Sequence, residues 1–122
     1  MTSINSYRDL LVWQASVELA TRCYKVTADF PPSELYGMTS QMRRASVSVA
    51  ANIAEGHGRD GTGNFIQFLR VSQGSLKELE THLLISARVG LLEGKLASGL
   101  QEQCDEIGRM LRSLIRTLEA KV

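Results

Sequence analysis

The side chains best able to do chemistry in this sequence are two histidines, two cysteines and a scatter of carboxylates and arginines. A carboxylate-bridged di-metal centre in a helical bundle needs Glu-x-x-His on two helices and a further glutamate on each of the others. Glu78 and His82 are spaced by four rather than three, His57 falls in a glycine-rich loop, and Glu18 and Glu55 have no histidine at that spacing. No metal site is expected, and His82 reads as a surface or capped histidine. Cys23 and Cys104 stand outside any CxxC or Cys/His pattern, as reduced thiols in no niche that marks a nucleophile. The loop Gly56-His57-Gly58-Arg59-Asp60-Gly61 spells GxGxxG, but a dinucleotide site needs that pattern between a strand and a crossover helix. A helical stretch precedes it here, so the glycines read as a turn and no cofactor is expected. An anion at the start of the next helix, beside Arg59, stays open. With no Ser/His/Asp signature and no P-loop, the chain reads as a non-enzyme.

The remaining candidates are basic. Arg43 and Arg44 fall near the start of a helical stretch, where the helix dipole disfavours cations, and Glu55 is equally misplaced near its end. Pairing of Glu55 with an arginine, between helices or between chains, is the economical explanation. Arg109, Arg112 and Arg116 share one face of the last stretch, with Asp105 four residues ahead of Arg109 to offset it. A solvated face is the plain reading. The alternative is a module that attaches RNA or DNA, or a protein handling them, through Arg43, Arg44, Arg59, Arg109, Arg112 and Arg116. A net charge of +1 lacks the basic excess of a dedicated nucleic-acid binder.

Four helical stretches must position these residues. Phe30-Pro31-Pro32-Ser33, the glycines from Gly56 to Gly63, and Gly90 to Gly94 punctuate the chain. Between them the spacing predicts helices over about 7–29, 38–55, 64–89 and 95–118. Leu10, Trp13, Val17, Ala20 and Tyr24 form the first apolar stripe, and Met42, Ala45, Val49 and Ile53 the second. Phe65, Phe68, Leu69, Ser72, Leu76, Leu79 and Leu83 follow in the third, then Leu100, Cys104, Ile107, Leu111, Leu114 and Leu118 in the fourth. Strand-like alternation is absent. The expected fold is all-α, an antiparallel up-down-up-down four-helix bundle forming one domain over residues 1–122.

Length and composition agree with one globular core, 122 residues with 43% hydrophobic and 22% charged side chains. The N-terminus lacks the features of a signal peptide, and no run approaches ~18 apolar residues, so a cytoplasmic protein without a membrane partner is expected. The second helix is unusually apolar: Ala45 to Ala54 reads ASVSVAANIA, ten residues without a charge. Val47, Ala50, Ala51 and Ala54 lie off its core stripe, and a helix apolar nearly all round is buried nearly all round. Another copy of the chain is expected to cover it. Gly74 and Gly108, inside helices, are expected to mark close backbone approach.

The block YG-x-x-x-Q-x-RRAS-x-S-x-x-x-NIAEG-x-x-R, followed by NFIQFLRVSQGSLKELET and IGRMLRSLIRTL, resembles the bacterial four-helix-bundle family encoded in ribosomal RNA intervening sequences. The resemblance spans about Phe30 to Leu118. It implies an antiparallel four-helix bundle, a ring-shaped homopentamer and a bacterial, cytosolic origin. It also implies a relation to the accessory proteins of diversity-generating retroelements, which bind a reverse transcriptase and nucleic acid through a strongly basic surface not shared by this near-neutral chain. The motif falls on Tyr36, Gly37, Gln41, Arg43, Arg44, Ser46, Asn52, Glu55, Gly56 and Arg59, with Phe65, Phe68, Gly74, Ser75 and Glu78 downstream. Asn52, set among apolar neighbours, needs a hydrogen-bond partner. Gln41, Arg43, Arg44, Ser46, Val47, Ala50, Ala51, Asn52, Ala54, Glu55 and Gly74 are therefore expected to serve architecture and the contact between copies before any ligand.

Overall fold

The computed structural model describes residues 6–122, and among them the regular elements are helices without strands. Helix α1 spans Leu11–Thr27, α2 Met38–His57, α3 Thr62–Arg88 and α4 Gly94–Glu119, with 3-10 turns at Tyr7–Asp9 and Pro32–Glu34. The expected first helix, 7–29, is divided. A capping box between Ser6 and Asp9 starts a single turn. Leu10 then adopts extended backbone, φ −75° and ψ 122°, before α1 begins. The other helices begin and end within two residues of 38–55, 64–89 and 95–118. Residues 1–5 of the expected domain lie outside the described residues. Gly61 (φ 90°) and Gly90 (φ 82°) supply the left-handed backbone that opens α3 and follows it.

Contacts across helix pairs give the directions. The Ser72 hydroxyl donates to the Val49 carbonyl at 2.9 Å, Ser48 and Ser75 hydroxyls meet at 2.8 Å, and Gly56 backs onto Phe65 and Phe68. As α2 advances, its partners on α3 retreat. Gln101 donates to the Glu80 carbonyl at 2.9 Å and Arg70 pairs with Glu119 at 2.8 Å, so α4 reverses again. Arg22 bonds Gln103 while Leu11 and Val12 lie by Met110 and Leu114, which sets α1 antiparallel to α4. Tyr24 and Thr27 meet Arg43 while Trp13 shares a groove with Ala50, which does the same for α1 and α2. Each helix touches two neighbours in the order α1–α2–α3–α4–α1, and the diagonal pairs make no close backbone approach. The bundle is square and runs up-down-up-down.

Its core is aliphatic: Leu19, Met42, Val49, Ile53, Leu69, Leu76, Leu79, Leu83, Leu100, Ile107 and Leu111 are all buried, together with both cysteines. The core stripe of α2 is the expected one, and that of α3 holds from Leu69 to Leu83, while Phe65 and Phe68, also expected in it, are only half-buried. In α4 the seam ends on Ile115, with Leu114 and Leu118 only half-buried at its edge. The stripe read for α1 requires correction. The buried face is Val12, Ser16, Leu19, Cys23 and Thr27, while Val17 and Tyr24 are exposed. Two hydroxyls enter the core because each is satisfied by its own helix: Ser16 donates to the Val12 carbonyl and Thr27 to the Cys23 carbonyl, both at 2.7 Å. Among the described residues no helix is long and apolar enough to cross a membrane.

Candidate functional site

Helix α2 carries most of the candidate residues. Ser46 is buried and donates to the Arg43 carbonyl at 2.9 Å. Arg43 folds back onto α1: Nε donates to Thr27 Oγ1 at 2.9 Å, Nη2 to the Tyr24 carbonyl at 3.4 Å, and the guanidinium lies 4.5 Å from the Tyr24 ring centroid. Arg43 thus sits at the C-terminal end of α1, where the helix dipole favours a cation. Arg44 has no such partners; it is exposed and its side chain makes no hydrogen bond or ion pair among the described residues.

Asn52 finds its partner within α2, donating to the Ser48 carbonyl at 2.8 Å and to Ser48 Oγ at 3.0 Å. Glu55 pairs with Arg59 one turn on, at 3.3 Å, with both side chains more than half exposed. Pairing between helices is therefore not what answers Glu55 inside the chain; a local i,i+4 contact reaches it first. Arg59 also lies over the Phe68 ring, 5.4 Å from its centroid.

Two adjoining depressions gather these side chains. A polar cleft of about 590 Å³ is lined by Tyr24, Gln41, Arg43, Arg44, Val47, Ser48, Ser75 and Glu78. Beside it, sharing Tyr24 and Val47, an apolar groove of about 560 Å³ is lined by Trp13, Val17, Ala20 and Thr21 of α1 and by Ala50 and Ala51 of α2. Val17 is 37%, Tyr24 46% and Val47 43% exposed. Ala51 is exposed as well, Ala54 is half-buried, and Ala50 is tucked in. The α1 half of this groove is the stripe that periodicity assigned to the core. A 4-3-4 spacing announces an apolar helix face without saying which of two faces turns inward.

The last arginines lie apart from this site. Arg109, Arg112 and Arg116 line a cleft of about 370 Å³ with Ser113 and Thr117. None of the three forms an ion pair among the described residues, so Asp105 does not close onto Arg109. Gly74 is exposed, and an added Cβ there meets nothing within 4 Å; at Gly108 it would meet only the side chains of Leu76 and Arg112 at 3.6 Å, an ordinary contact, so neither glycine marks the close backbone approach expected. The signal missed in the sequence is Gly56, where an added Cβ would stand 2.6 Å from Phe68 Cβ.

Both thiols are buried. Burial pushes Cys23 up to about 11, against a hydrogen bond with Ser46 and the nearby Arg22 charge. Burial, reinforced by Glu80, pushes Cys104 up to about 12. Neither supplies a thiolate near neutral pH. His57 meets Phe65 edge-on, centroids 5.6 Å apart. His82 is half-buried with Nε2 enclosed and unpartnered, not the surface or capped histidine expected. Among the described residues no three His, Cys, Asp or Glu side chains gather as metal ligands.

The sequence profile of the 23S rRNA-intervening sequence proteins matches residues 8–113. The chain belongs to this family. A crystal structure of a family S23 ribosomal protein of unknown function from Bacteroides thetaiotaomicron is similar, with 25% sequence identity and a TM-score of 0.78. The match covers 86% of this chain and 98% of that one. No curated protein matches the chain. Family membership thus carries the four-helix fold, while the function of the similar structure is itself unknown.

Proposed function

We propose that the chain is a non-enzymatic, self-assembling helical scaffold of the bacterial cytoplasm, closing into a ring of five copies. The observation that carries this reading is the apolar groove between α1 and α2, where exposed Val17, Tyr24 and Val47 adjoin Trp13, Ala20, Ala50 and Ala51 on the outside of a complete bundle. A contiguous apolar patch on a small domain that has already filled its own core marks an interaction surface. Family resemblance supplies the number five. Sedimentation equilibrium at micromolar concentration is expected to return several times the 13.5 kDa of one chain. Val47→Glu, which sets a charge in the groove, is expected to lower that mass. A 13.5 kDa species for the parent protein overturns the reading.

A second reading, an accessory module for nucleic acid or for a nucleic-acid-handling protein, is favoured by one observation: Arg109, Arg112 and Arg116 share a cleft with two hydroxyl side chains and form no ion pair in the chain. A ring multiplies such a patch, so a near-neutral subunit binds through several copies at once. Titration with structured RNA and with duplex DNA at two salt concentrations tests it. Salt-sensitive binding that weakens in Arg112→Ala/Arg116→Ala is the expected signature. Unchanged affinity in that variant removes those two arginines from the site.

A further inference from the structure

Helix α2 forms the edge at which two sides of the square bundle meet. On its α1 side lies the apolar groove, and toward α3 the polar cleft opens. Around that cleft Gln41, Arg44 and Glu78 are exposed, and their side chains make no hydrogen bond or ion pair among the described residues. Arg44 sits at the end of the second turn of α2, past the first turn where the helix dipole acts on a charge. Arg43, its neighbour, is partnered by the end of α1; Arg44 is not. One carboxylate, Glu78, lines the same cleft and forms no ion pair with it.

Glu78 belongs to a second surface. Val71, Gly74, Glu78, Thr81 and Ile85 follow one another by three and four along α3, and all five are exposed. Such spacing makes a seam for lengthwise packing against another helix. Val71 is 48% and Ile85 42% exposed, and nothing of the chain lies within 4 Å of where a Gly74 Cβ would stand. The seam is apolar at both ends, flat at Gly74 and acidic in the middle. The α1–α2 groove is apolar with an unpaired guanidinium beside it.

We propose that the α3 seam of one copy packs on the α1–α2 groove of the next, with Glu78 of the first copy paired to Arg44 of the second. Seam and groove lie on different sides of the bundle, so the contact is head-to-tail. Because those sides meet near α2 rather than lying opposite each other, each contact turns the growing chain of copies, and a head-to-tail contact whose rotation closes gives a ring. The polar cleft is completed by its neighbour. This pairing rests on the self-assembly reading above.

Charge reversal tests it, with sedimentation equilibrium across a concentration series as the measurement. Arg44→Glu and Glu78→Arg are each expected to raise the concentration for half-assembly at least about tenfold, and the double reversal to bring it back near the parent value. Because both side chains line one cleft of the chain, the two single reversals are also mixed: opposite charges then meet only between chains, and assembly recovered in the mixture reads a contact between chains. Far-UV circular dichroism checks that each variant is folded, and R44Q, E78Q and their combination give the same cycle without introducing a new charge. Single reversals that assemble like the parent, or a double reversal that fails to recover, overturn the pairing and leave self-assembly standing. A parent protein that is itself monomeric overturns the reading beneath it.

Discussion

At the scale of single residues, helix ends govern where charge can rest. Arg43 shows that a residue's own helix is the wrong frame for judging its placement. Its Nε and Nη2 serve the closing turn of α1, and the Tyr24 ring covers the guanidinium. The buried thiols show the complementary rule, that a group excluded from water keeps its neutral form. Cys23 and Cys104 stand at about 11 and about 12 against an ordinary value of 9.0. The folded chain therefore holds both protons in a range where the unfolded chain has released them. Stability is fully present below pH 9 and falls as the pH rises from 9 toward 11–12. Thermal melts between pH 8 and 11 should show Tm dropping, and the drop should shrink in Cys23→Ser/Cys104→Ser. A native chain that reacts rapidly with a thiol reagent at pH 8 contradicts the burial behind this.

At the scale of elements, approach distance separates two glycines that look alike in the sequence. At Gly56 a methyl group would stand 2.6 Å from Phe68 Cβ and 3.1 Å from Phe65 Cδ1, so α2 and α3 would have to part. Gly56→Ala is expected to destabilise the chain by about 1–3 kcal/mol, as overpacking does. Gly74→Ala meets nothing in the chain and gains helix propensity, so it is expected to stabilise an isolated subunit by about 0.8–1 kcal/mol. Urea denaturation of both variants checks the contrast in sign. Legible in the sequence were the four helices, the inward stripe of α2 and that of α3 from Leu69 to Leu83, because large aliphatic side chains mark those faces. The phase of α1 was not legible. Val12-Ser16-Leu19-Cys23 and Trp13-Val17-Ala20-Tyr24 compete as apolar faces, and a sequence does not show that Ser16 and Thr27 satisfy their hydroxyls locally. Among the site residues, the charge-free run of α2 pointed to apolar side chains beyond one stripe, and Val47 and Ala51 of that run are exposed on the chain. The partners of Arg43 and Glu55 were illegible, since they depend on which side chains the fold brings within reach.

At the scale of the whole molecule, the square arrangement leaves α2 with two working sides and α4 with a charged exterior. Glu102, Asp105, Glu106, Arg109, Arg112 and Arg116 are all exposed, acids in the middle of α4 and arginines toward its end. Arg116, in the last turn, suits the helix dipole without any partner. The α1–α2 side is the opposite case, since its apolar side chains gain nothing from water. The chain has a single tryptophan, and Trp13 stands on the rim of that groove, half-buried, with the Tyr7 ring 5.1 Å away. Its indole is built into neither the core nor the open surface. The emission of this one fluorophore therefore answers to what covers the groove as well as to folding. Dilution of the native protein should shift it to the red while the far-ultraviolet dichroism of the helices holds steady. Val47→Glu should begin at the red end whatever its concentration. One cuvette then reads association and folding on separate channels.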